Sequence, residues 1–231
     1  MPPFQILPCT LADGPALARN NIAAFWTDPT WILMWPGKTC EYVISQATLR
    51  VAHNLLSNRE RWRHLKAVDT ATGDLVGYVR WVLPEDGPEG KMWSAALGPV
   101  GSAEEREKAR RESENADWEF DHSLDKQDEV MVGLKEDLMG GKRYLLLDYL
   151  AVHPSNRNQG IATLLVESGV KEADRMGMDV FVLAMQAGLN VYEKSGFVLL
   201  KELHQDVPES GENGQRAAYY LERKCRVMEG V

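Results

Sequence analysis

Leu145 to Val170 reads LLLDYLAVHPSNRNQGIATLLVESGV. The run Leu145–Val152 is apolar apart from Asp148, so it reads as a largely buried strand. His153-Pro154-Ser155-Asn156 stops it: Pro removes a ladder donor, and Ser and Asn favour turns. From Ile161 onward, Leu164 and Leu165 recur at helical spacing, followed by Val166, Val170 and Ala173. The order is strand, polar turn, helix. A helix start offers unpaired N–H groups and the positive end of the dipole, which together favour phosphate. Gly160 lets backbone approach a ligand without a Cβ in the way, Ala162 is small, and Arg157 can add a charge-assisted contact. Two readings fit: a pyrophosphate cradle, or an ordinary strand-to-helix connection with a permissive glycine.

Two other phosphate loops are excluded. A dinucleotide fingerprint needs three spaced glycines, and one stands here. A P-loop needs a glycine five residues before Gly37-Lys38-Thr39, where Ile32 stands. Gly37-Lys38-Thr39 is read as a turn into a helix.

At 231 residues, with 44% apolar and 26% charged residues, the chain has the balance of a globular protein. The net charge of -8 argues against sequence-blind nucleic-acid binding and is compatible with a cationic substrate. Three scattered cysteines fit a reducing compartment, and single histidines give no metal signature. With no secretory pattern at the start and no long apolar run, the expected location is the cytoplasm, with the nucleus possible and no membrane contact.

Upstream, Phe4–Cys9 reads as an edge strand, Asp13 as the cap of a helix, and Thr39–Arg61 as a second helix. Residues 62–68 and 75–83 form a hairpin around Gly73. Residues 84–142 break the pattern and read as a helical insertion within one domain spanning 1–231. Between Ser102 and Glu129, eleven acids face five bases. Such a run is a solvated helix face or, alternatively, a partner surface or substrate-steering rim. Val130, Leu134 and Leu138 give a second stripe. Downstream lie a buried strand (178–185), a short helix closed by Gly196, and two strands paired through a long loop. A helical crossover makes the strands on either side of it parallel neighbours, so the sheet is a mixed one in an α/β (α+β) fold. Trp31, Trp35 and Trp81 are either core or the wall of an acceptor pocket.

Arg157-Asn158-Gln159-Gly160-Ile161-Ala162 resembles the R/Q-x-x-G-x-G/A signature of the GNAT superfamily of acyl-CoA-dependent N-acetyltransferases. Asn190-Val191-Tyr192-Glu193-Lys194-Ser195-Gly196-Phe197 resembles its second motif, a Tyr four residues before Gly-Phe. The match spans Leu145 to Leu203, and the insertion between the third and fourth strands departs from the minimal pattern. The resemblance implies acetyl-CoA as cosubstrate, entering where the two parallel strands splay. Its pantetheine arm would pair with Leu150, Ala151 and Val152. Its pyrophosphate would sit on Asn158, Gln159, Gly160, Ile161, Ala162 and Thr163 beside Arg157, with Asn190 near the thioester.

The implied reaction is direct attack of an amine on the thioester. An amine of pKa near 10 is only about one part in a thousand neutral at pH 7, a penalty of roughly 4 kcal/mol. A base would relieve it. Asp148 is the candidate base or amine anchor, or else a structurally paired carboxylate. Tyr192 matches the family position that protonates the departing thiolate. The expected acceptor is a small-molecule amine, handled by a monomer or homodimer. A protein lysine or N-terminal amine is an alternative acceptor, and a non-catalytic acyl-CoA sensor an alternative of another class.

Overall fold

A computed structural model describes residues 3–85, 92–207 and 214–226. One sheet is built from β1 (Phe4–Pro8), β2 (Trp62–Asp69), β3 (Leu75–Val82), β4 (Tyr144–Val152), β5 (Asp179–Met185), β6 (Val198–Asp206) and β7 (Gln215–Arg223). Its order is β1-β2-β3-β4-β5-β7-β6. Among the described strands only β4 and β5 run parallel. The final hairpin places β7 inside and leaves β6 at the edge.

The helices are α1 (Gly14–Phe25), α2 (Pro29–Ile32), α3 (Cys40–Leu56), α4 (Ala103–Glu114), α5 (Asp125–Met139), α6 (Ile161–Met176) and α7 (Leu189–Lys194). Thr39 caps α3 by accepting from the Tyr42 amide, so the turn at Gly37 does lead into a helix. Ser102 and Glu105 form a reciprocal capping box on α4. Asp13 stands at the N-cap position of α1, but its side chain makes no cap bond there. Its carboxylate instead accepts from the Thr10 amide at 2.7 Å and from Lys66 Nζ at 2.6 Å, which fastens the start of the helix to β2.

The crossover helix α6 buries Ile161, Leu165, Val166 and Ala173 on one sheet face, against Leu145, Leu147, Val180 and Val182. Each such aliphatic side chain contributes roughly 1.5–3 kcal/mol on leaving water. The opposite face is covered in two halves. Helices α1 and α3 lie over the β1–β4 half. Met131, Leu134 and Leu138 of α5 lie over Tyr144, Phe181 and Tyr220. The inward stripe of α5 therefore starts at Met131; Val130, expected in it, is exposed. The insertion divides accordingly. Within α4 only Ala109 is buried, which makes its charged sides a solvated face, whereas α5 roofs part of the sheet.

Two irregularities in β4 create the site. Arg80 pairs with Tyr149 and Trp81 with Leu147, so Asp148 is an extra residue, a bulge. The pairing of β4 with β5 ends at Leu147 and Val182. Beyond that point the two parallel strands part.

Candidate active site

The bulge and the parting of the strands coincide. The His153 amide points to Val76 O on β3, at 3.4 Å. Backbone groups alternate along a strand. By that alternation the amides of Leu150 and Val152 face the other edge, toward the opening beside β5. The end of β4 is held from α1 by the buried Asn20. Its Nδ2 donates to Ala151 O at 3.3 Å, and its Oδ1 accepts from the His153 amide at 3.0 Å. His153 in turn lies 2.7 Å, through Nδ1, from Ser155 Oγ, so it shapes the turn.

The turn leads to the start of α6. Asn158 and Gly160 both adopt the left-handed conformation, with φ of 62° and 80°. Gly160 is the N-cap residue, no side chain caps the helix, and its first turn carries no acid. Asn158, Gln159 and Gly160 are exposed, while Ala162 and Thr163 are half-buried. The amides at the head of α6 are thus left without a side-chain acceptor, which suits an anion. Arg157 uses one Nη to donate to Ala24 O at 2.9 Å and to Thr27 Oγ1 at 3.0 Å, tying the loop to the end of α1.

Asp148 faces Arg80. Its Oδ2 lies 2.6 Å from Arg80 Nε and 2.5 Å from Nη2. Arg80 also lies over the Trp62 ring, 4.6 Å from its centroid. Burial works against the Arg80 charge, but Asp148 outweighs it, and the guanidinium is held above its usual range. The acid expected to be inside a buried strand is therefore an exposed, paired carboxylate on a bulge.

Tyr192, on α7, is buried against Phe197, with ring centroids 5.7 Å apart. A Cβ on Gly188 would meet its ring at 2.8 Å, so that glycine makes room for the tyrosine. Burial pushes the phenol well above its ordinary pKa, so it holds its proton at neutral pH. Asn190 is exposed on the same short helix.

Beside the opening, α1, α3 and the sheet enclose a cavity of about 150 Å³. Leu17, Ile22 and Val51 form its apolar side, and Tyr149 of β4 stands in its wall. Arg50, Arg80 and Trp118 complete the rim, and among the described residues no carboxylate lines it. His64 and Tyr78 pair at its floor, with Nδ1 2.7 Å from the hydroxyl. Burial first, then the neighbouring arginines, press the His64 pKa down to about 3.

The tryptophans expected to wall a pocket sit elsewhere. Trp81 is a correction: it is 0% exposed, in the core against α6, where a Cβ on Gly169 would fall 2.1 Å from its ring. Trp35 meets Trp118 and Phe120 edge-on, Trp31 lies against Trp35, and of these rings only Trp118 reaches the cavity. Arg50, Arg80 and Trp118 escaped the sequence reading. One signal was present for Arg50: it lies with Ala47, Val51 and Asn54 at helical spacing, a charge within an apolar stripe.

Residues 125–199 match the family model of the acetyltransferase (GNAT) domain. A Stachybotrys chartarum acetyltransferase is 27% identical over 160 residues, covering 68% of this chain and 63% of that protein's length. A Corynebacterium glutamicum structure described as histone acetyltransferase HPA2 and related acetyltransferase superposes with a TM-score of 0.55 at 18% identity, covering 99% of each chain. The yncA protein from Salmonella typhimurium, solved with its cofactor acetyl-CoA, gives a TM-score of 0.50 at 14% identity, covering 99% of this chain and 97% of that one. Residues 125–199, which carry both motifs and the β4 opening, are thus similar to the GNAT acetyltransferase domain, and the fold as a whole is shared with solved acetyltransferase structures. Among the described residues no helix is long and apolar enough to cross a membrane, and no cluster of side chains suits a metal ion.

Proposed function

We propose that the protein is an N-acetyltransferase that moves the acetyl group of acetyl-CoA to the primary amine of a small molecule. The observation that carries this reading is the opening of β4 from β5 after Leu147, in line with the uncapped start of α6. An extended amide chain can pair with free strand groups, as an added strand does. The pantetheine arm pairs with Leu150 and Val152, and the diphosphate rests on the amides from Asn158 to Thr163. A related fold holding acetyl-CoA supports the choice of donor.

The amine nitrogen attacks the thioester carbon, forming the C–N bond. The Leu150 amide stabilises the resulting oxyanion. As the intermediate collapses, the C–S bond breaks and the sulfur takes a proton from the Tyr192 hydroxyl. The amine's proton passes to Asp148, directly or through water, and returns to Tyr192 by way of solvent. Products are the acetamide and free coenzyme A. The burial that keeps the Tyr192 phenol protonated and the place of Asp148 on the bulge, two residues before Leu150, support these roles.

Release of free thiol from acetyl-CoA, followed over a panel of amines, tests the reading. Turnover of at least one amine is expected, with a fall of about 100-fold in kcat for Tyr192→Phe, the range of one general acid. Tight binding of acetyl-CoA with no amine turned over would make the protein a sensor instead.

A further inference from the structure

The cavity beside the β4 opening is cationic, although the chain carries a net charge of -8. Its two charged side chains differ in one respect. Arg80 has Asp148 as its partner. Arg50 lies over the Trp118 ring, its Cζ 4.7 Å from the centroid, and among the described residues it makes no hydrogen bond or ion pair. Burial lowers its pKa, so the guanidinium is partly stripped of water without an anion to offset the loss. A guanidinium has five N–H donors in a planar fork that matches a carboxylate edge to edge. The contact with Trp118 holds the guanidinium at the rim, and its N–H donors have no partner among the described residues. Leu17, Ile22 and Val51 give the cavity an apolar side, and its other polar groups, among them Asn21 and Asn54, are neutral rather than carboxylates that would hold a polyamine.

We propose that Arg50 receives the carboxylate of the acceptor, and that the acceptor is an amino carboxylate with an apolar body, such as an aliphatic or aromatic amino acid. The inference deepens the acetyltransferase reading and rests on it for the fate of the amine. The carboxylate docks at Arg50, the body fills the apolar side, and the amine is presented toward Asp148 at the bulge. A polycationic acceptor meets two guanidinium groups and, among the described lining residues, no carboxylate.

The test compares leucine, methionine and phenylalanine with their decarboxylated amines as acceptors for the wild-type protein. At least one amino acid is expected to exceed its own amine by about 100-fold in kcat/KM, the scale of a charge-assisted pair. In Arg50→Gln that ratio is expected to fall toward one; should this variant not fold, Arg50→Lys keeps the charge without the fork and should lower the ratio in part. Decarboxylated amines turned over as well as the amino acids would overturn the inference while leaving acetyl transfer intact. If no amine is turned over, binding of 4-methylpentanoate and 3-phenylpropanoate, read by tryptophan fluorescence, decides the matter. Binding weakened about 100-fold in the Arg50 variant supports the carboxylate site, and no binding to the wild-type protein overturns it.

Discussion

Asp148 and Arg80 meet across the β3–β4 pair, with Oδ2 2.5 Å from Nη2, at the bulge where β4 has one more residue than β3 between the pairs Arg80–Tyr149 and Trp81–Leu147. The bulge aims the carboxylate at the arginine, and the next residues lose their partner on β5. Asp148→Asn keeps the shape and removes the charge. The pair is partly exposed, so the expected loss is only about 1–2 kcal/mol in urea unfolding, between the values for surface and buried pairs. If Asp148 accepts the amine's proton, kcat falls about 100-fold as well. A loss of stability with kcat unchanged would reduce Asp148 to a structural partner.

His64 gives the fold a defined pH dependence. Its folded pKa of about 3 lies below the unfolded value near 6.5. Between those values the unfolded chain binds the extra proton, so stability is full above about pH 6.5 and is lost as pH falls toward 3. At pH 5 the deficit relative to pH 7 is about 2 kcal/mol. Urea unfolding of the wild type and of His64→Gln at both pH values isolates this share. Equal pH dependence in the two proteins would contradict a buried neutral imidazole.

Gly169 and Trp81 lock α6 to the sheet. A methyl group on Gly169 would fall inside the indole, 2.1 Å from Cε2. Gly169→Ala is expected to cost about 1–3 kcal/mol, the usual scale of overpacking, despite the better helix propensity of alanine. Adding Trp81→Leu should return part of that loss by removing the clash. A neutral Gly169→Ala would mean that the ring does not lie there.

The parts legible in the sequence were those encoded locally. Strand, turn and helix from Leu145 to Val170 each have their own signal, and the crossover then dictates the parallel pair. The Tyr192 motif is likewise contiguous. What was not legible depends on residues far apart in the chain. Asp148 reads as an acid in a buried strand because its partner Arg80 lies 68 positions away and the bulge comes from cross-strand register. Trp81 stands on a strand between two covered faces, and its position alone does not say which helix it meets. Trp118 lies in a charge-rich insertion with no pattern linking it to α3, yet it supplies the ring on which Arg50 rests.

The most direct measurement of the central claim is backbone amide hydrogen exchange, residue by residue, with and without saturating coenzyme A. New protection is expected at Asn158 to Thr163, where the diphosphate sits, and at Leu150 and Val152, whose amides face the opening. Coenzyme A that binds yet leaves these amides exchanging as before, while protecting others, would contradict the account.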